Sequence, residues 1–163
     1  MLLSARLHQG GVDRRIVAID FNEYGDALLS SANLFFKQLA LDITEQLKLP
    51  DSLVESEWLR PNSPGAKLTR LMDMKFFEER KLVLILMGAE VLLDRPILET
   101  FLHTLKRWRE VQLFISKNGA QWSRLSLLLS VITPPFFSND DERKKTIARF
   151  LSRFSGDDVV EFR

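Results

Sequence analysis

The chain has 163 residues, enough for one domain with a substantial buried core. Hydrophobic residues make up 45% and charged residues 28%, which excludes a disordered polymer, and a formal net charge of +1 supplies no global pull toward nucleic acid or anionic lipid. The absence of Cys removes disulfides, thiolate metal sites and thiol nucleophiles, and no apolar run approaches the roughly 20 residues that span a bilayer.

The opening MLLSARLHQGGVDRR carries too short an apolar stretch for a signal peptide, so a cytoplasmic location without membrane attachment is expected. Residues 2–8 read as the tail of a helix stopped by Gly10 and Gly11. RIVAIDF, residues 15–21, is a β-branched apolar run that predicts a buried strand, with Asp20 at its carboxyl end and a polar loop over residues 22–25. Leu28, Leu29, Leu34, Phe35, Leu39, Ile43 and Leu47 then recur at the spacing of one long amphipathic helix over residues 27–47. A short helix or turn is expected at 52–60, a loop at RPNSPG (60–65), and a helix over 67–79 with Leu68, Leu71, Met72, Phe76 and Phe77 inward.

KLVLILMGAEVLLD, residues 81–94, holds five consecutive aliphatic residues, the pattern of a fully buried parallel strand. Arg95 and Pro96 begin a further helix to about Arg109, with Ile97, Phe101, Leu105 and Trp108 along one side. Residues 111–117 read as either a short strand or the helix end. LSLLLSVIT predicts another buried strand within 123–134, ended by Pro134 and Pro135, and residues 140–154 predict a charged helix. Strands that alternate with helices and read as apolar runs argue for a small, mainly parallel sheet in a three-layer α/β/α fold.

The candidate functional positions are few. A phosphate-binding loop needs GxxxxGK and then Ser or Thr between a strand and a helix. PGAKLT (64–69) lacks the first Gly and the Gly–Lys adjacency, and reads more simply as a loop leading into a helix. In nucleotide-hydrolysing α/β proteins a buried strand ends in acids that hold Mg²⁺ and polarise water; here it ends in Met87 and Gly88. Asp20 stands where a ligand-facing residue belongs, although capping the next turn or pairing with Arg14 or Arg15 explains it equally well. Glu90 is close to the missing acidic pair and reads as a surface or helix-start residue. Thr133, at a strand end, has a hydroxyl suited to a phosphate or a water, yet the two prolines after it already explain the strand end. His103, Lys106, Arg107 and Arg109 form a local basic face, against which Trp108 and the interspersed leucines argue for core packing. His8 and His103 lie far apart, so no His-based cluster is expected.

With those residues in place, the order and spacing from RIVAIDF to ITPPFF resemble the bacterial AAA-like ATPase domain, a P-loop group. MLLSARLHQ resembles the helix SLLARL that follows that family's phosphate loop. IVAIDFN resembles its strand xVxxDFQ, QLKLP resembles QLGLP, and PNSPGAKLTR resembles PNxxFTR with an insertion. LVLILMGAEVLL (82–93) lies without a gap over LVLALDEVDRLF, and LSLLLSVITPPFF (125–137) over LRLVLAHSTEPYI.

The resemblance implies a P-loop NTPase-like α/β fold over residues 1–137, with 138–163 as a charged helix and tail packed on the same domain. It places the Mg²⁺-associated Asp on Met87, the catalytic Glu on Gly88 and a later Asp on Glu90, and keeps Thr133. An inactive AAA-like domain is therefore expected, with no cofactor or metal, acting as a protein-interaction or regulatory module with a protein partner or a second copy. The alternatives are a truncated ATP-binding domain and a nucleic-acid-associated subunit that uses His103 to Arg109.

Overall fold

The computed structural model describes residues 14–77, 80–113 and 121–131. Among these residues, three strands form one parallel sheet in the order β1 (Arg14–Asp20), β2 (Lys81–Met87), β3 (Leu125–Leu129). The register sets Val17 opposite Leu84, Asp20 opposite Met87 and Leu84 opposite Leu127. The expected α/β class and parallel pairing are therefore present.

The sheet is not covered alike on its two sides. Side chains alternate across a strand, so Val17, Ile19, Leu82, Leu84, Leu86 and Leu125 share one face, and all are buried. Ile16, Val83, Ile85 and Met87 point the other way and are half-buried. β3 departs from the expectation of a buried strand: Ser126 is exposed and Leu128 is 43% exposed. Among the described residues β3 has a neighbouring strand on one side only, so its largely apolar sequence does not guarantee burial.

The helices supply the other half of a single core. A short turn (Phe21–Glu23) and helix α1 (Asp26–Leu29) lead to α2 (Ala32–Gln46). The single helix expected over 27–47 is thus two. Ser31 adopts an extended φ of −131° and its hydroxyl accepts from the Leu34 amide at 3.4 Å, so it caps a new helix. The apolar spacing runs through the break because both pieces face the same core. Within α2 the buried residues include Phe35, Phe36, Leu39 and Ile43, whereas Leu34, expected inside, is 44% exposed. Phe21, Phe35 and Phe101 meet at centroid distances of 5.2, 5.6 and 5.8 Å, each pair adding about 0.5–1.5 kcal/mol beyond its buried area.

α3 (Ser52–Trp58) and α4 (Pro64–Leu71) form a hairpin, and α4 runs on into one wider π turn (Met72–Phe76). Pro64, expected in the loop, is the first residue of α4, where its fixed φ suits the helix. α5 (Leu98–Leu113) starts later than Arg95, because a 3-10 turn (Ala89–Leu92) comes first and the Arg95 side chain is drawn to Asp26 at 2.5 Å. Residues 111–113 are helical. The Nε1 of Trp122 and the Nε2 of Gln121 donate to Asp73 at 2.7 and 2.6 Å, fixing the approach to β3. The helices expected at 2–8 and 140–154, residues 114–117 and Thr133 lie outside the described residues.

Candidate functional site at the carboxyl edge of the sheet

In an open parallel sheet, ligands bind at the carboxyl ends of the strands. Here those ends are Asp20, Met87 and Leu129 with Ser130 after it. Ser130 donates its amide to the Leu86 carbonyl at 2.8 Å and accepts from the Ala89 amide at 3.2 Å, which draws the end of β3 to that of β2.

Asp20 caps the turn that follows it, one of the roles read for it from sequence. Its Oδ1 accepts from the Asn22 amide at 2.9 Å and from Asn22 Nδ2 at 2.8 Å. Arg15, one of the partners read for it, donates to the Phe76 carbonyl. Gly88 follows Met87 in the left-handed conformation, φ 70° and ψ 26°. A Cβ built there would stand 2.8 Å from Asp20 Oδ1 and 3.0 Å from Asn22 Cγ, and closer still to Asn22 Nδ2. Any side chain at 88 would need both a costly backbone and the space that Asn22 holds. Glu90 sits in the first turn of Ala89–Leu92, the helix-start role expected of it.

Asn22 itself escaped sequence reasoning, which saw only a polar loop. The signal was present as Asp-Phe-Asn, an Asx turn in which a side-chain oxygen reaches the amide two residues on. Among the described residues no three His, Cys, Asp or Glu side chains come together as a metal-holding group.

A second feature lies along the outer edge of β1. The Gln46 side chain donates to the Ala18 carbonyl at 2.7 Å and accepts from the Ala18 amide at 3.0 Å, replacing a neighbouring strand at that residue. Beside it is a cleft of about 300 Å³ whose polar lining includes Asp20, Glu23, Asp42 and Glu45. The Tyr24 hydroxyl and Gln38 Nε2 both donate to Asp42. Burial, reinforced by that carboxylate, holds the Tyr24 phenol above its ordinary range. Gln38 and Asp42 are four residues apart on α2, a spacing visible in the sequence, whereas the other partners are 18 to 28 residues apart and no sequence signal announced them.

The basic residues expected at 103–109 lie on α5. His103, Lys106 and Arg107 are exposed, and Lys106 lies 3.8 Å from Glu110 on the same helix face. Arg109 is half-buried and engaged, and Trp108 is buried, with Nε1 donating to Thr69 at 2.8 Å. PGAKLT has a packing explanation: a Cβ on Gly65 would run into the Thr104 side chain of α5, with Thr104 Cβ at 3.5 Å.

A family model described as "AAA-like domain" matches residues 2–144. This chain belongs to the AAA-like domain family. The match takes in the three described strands of the AAA-like domain and, with them, Asp20, Met87, Gly88 and Glu90. No curated protein and no solved structure matches the chain. No described helix of this AAA-like domain is long and apolar enough to cross a membrane.

Proposed function

We propose that this AAA-like domain does not hydrolyse nucleotide and serves as a protein-interaction or regulatory module. The observation that carries the reading is the conformation of Gly88. In the family pattern that position takes the acid that polarises water. Here its backbone is left-handed and Asn22, braced by Asp20, fills the space a side chain would need. Met87, on the position of the Mg²⁺-associated acid, brings a thioether in place of a hard oxygen ligand. Phosphoryl transfer depends on metal and positioned donors to stabilise a charged transition state, so losing both acids removes much of its catalysis.

The interaction half of the reading is supported by what the sheet leaves at its margins. Gln46 covers β1 at Ala18, whereas β3, the other outer strand among the described residues, carries Leu128 at 43% exposure. Outer strands are templates for pairing with another chain, a partner protein or a second copy. The nucleic-acid reading is weaker, because the α5 surface that bears Lys106 and Arg107 also bears Glu110.

Titration with a fluorescent ATP analogue and Mg²⁺ tests the proposal directly. No saturation is expected up to about millimolar ligand, where the free energy of binding would fall below ~4 kcal/mol. Saturable micromolar binding with release of inorganic phosphate would overturn it.

A further inference from the structure

We infer that the tip of the α3–α4 hairpin is a docking site for an acidic protein segment carrying an apolar anchor. The inference rests on the interaction-module reading and assigns it a surface and a partner chemistry. Its centre is Glu57, in the last turn of α3, with only 8% of its side chain exposed. A single oxygen, Oε2, lies 3.1 Å from Arg60 Nε and 3.3 Å from Arg70 Nε. The two arginines come from different helix ends and are 50% and 40% exposed. Both contacts use Nε, and no hydrogen bond or ion pair among the described residues takes the terminal amino groups of either guanidinium. One buried carboxylate therefore sets a pair of forks side by side with donors to spare, the geometry suited to carboxylates.

The surrounding charge fits an acidic occupant. Lys67 Nζ donates to the Trp58 carbonyl at 2.9 Å and lies 5.6 Å over the Trp58 ring. Arg60 and Arg70 outnumber the one carboxylate they share, so the exposed side of that cluster is positive. Arg70 Nε is buried and, at 3.3 Å, meets Oε2 as an ion pair without a hydrogen bond. The other oxygen of Glu57, Oε1, is likewise buried without a hydrogen-bond partner. A carboxylate kept at that desolvation cost makes sense if holding the two arginines in place matters.

The apolar half is Leu59, between Trp58 and Arg60, 88% exposed and well beyond Met74 at 57%. A lone exposed leucine needs no explanation. Beside a pre-set arginine pair it supplies the anchor that a protein interface buries at its centre. A nucleic-acid backbone would engage the arginines and leave Leu59 idle, so an acidic protein segment is the better fit.

The test uses the full chain and a fluorescein-labelled peptide with glutamates flanking a Leu-Phe pair, read by anisotropy and by amide shift mapping. Saturable, salt-weakened binding that moves the amides of Leu59, Arg60 and Arg70 is expected. L59S, at an exposed position, should weaken it about ten-fold. R60K and R70K keep the charge beside Glu57 but lose the fork, and each should weaken it several-fold. Failure to saturate, equal binding by the three variants, equal binding of a lysine-for-glutamate peptide or equal binding of duplex DNA would each overturn the inference. Shifts confined to β3 would overturn the hairpin site while leaving the module reading intact. Saturable binding of the ATP analogue with phosphate release would remove the module reading whatever the peptide does.

Discussion

Asn22 holds the space into which a side chain on Gly88 would project. The two residues are 66 positions apart and meet because the register of the parallel pair brings Asp20 opposite Met87. Asp20 then accepts from both nitrogens of Asn22, and the left-handed Gly88 passes beneath them.

Introducing Ala at 88 should therefore destabilise the domain by about 1–3 kcal/mol, combining the left-handed backbone cost with the steric one. In N22A the steric part is relieved and the backbone part is not. A double-mutant cycle on G88A and N22A, followed by urea unfolding, should show a doubly substituted protein more stable than the sum of the single losses predicts. Strict additivity would mean that the two residues do not share this space.

Gly65 offers a case in which helix propensity predicts the wrong sign. In a helix interior Ala is favoured over Gly by about 1 kcal/mol. At position 65 the added methyl would strike Thr104 Oγ1, which itself donates to the Thr100 carbonyl at 2.8 Å. G65A should lower stability by about 1–3 kcal/mol, and adding T104A should recover part of the loss. Thermal unfolding of the three proteins decides it.

The Gln46 side chain completes the β1 edge with one donated and one accepted hydrogen bond. Because Ala18 is exposed and water can replace the amide, Q46A should cost only about 0.5–1.5 kcal/mol. Q46E should cost more than Q46A: it loses the donor to the Ala18 carbonyl and adds charge beside Asp20, Glu23, Asp42 and Glu45. Urea midpoints in the order wild type, Q46A, Q46E are the expected result at pH 7.

Tyr24 makes stability depend on alkaline pH. Burial and the Asp42 carboxylate raise its folded value above the ordinary 10.0. Below that value the phenol is protonated in both states and its contribution is complete. As pH rises through about 10 the unfolded chain ionises first, so stability falls with increasing pH. Y24F should show a shallower loss of stability above pH about 10 than the wild type, measured by denaturant unfolding across the alkaline range.

Some of this architecture is local chemistry and some is not. β2 was legible because Leu82 to Leu86 form an aliphatic run too short for a buried helix. The split of the expected long helix into α1 and α2 was not, because apolar spacing reports which face is buried and ignores a Ser31 cap whose two flanking helices share one core. The half-exposed β3 shows the same limit: LSLLL reads as buried whether it stands in the middle of a sheet or at its margin.

By itself, the amino-acid order determined the α/β class, the family pattern, and a β2 that runs out into Met87 and Gly88, since each follows from residue identity and short-range spacing. Only the tertiary structure decided that Asn22 fills the space beside Gly88, that Gln46 edges β1, and that one buried Glu57 oxygen gathers Arg60 and Arg70. Those relationships depend on chain segments brought together by packing, and packing distances are not encoded in the separation of residues along the chain.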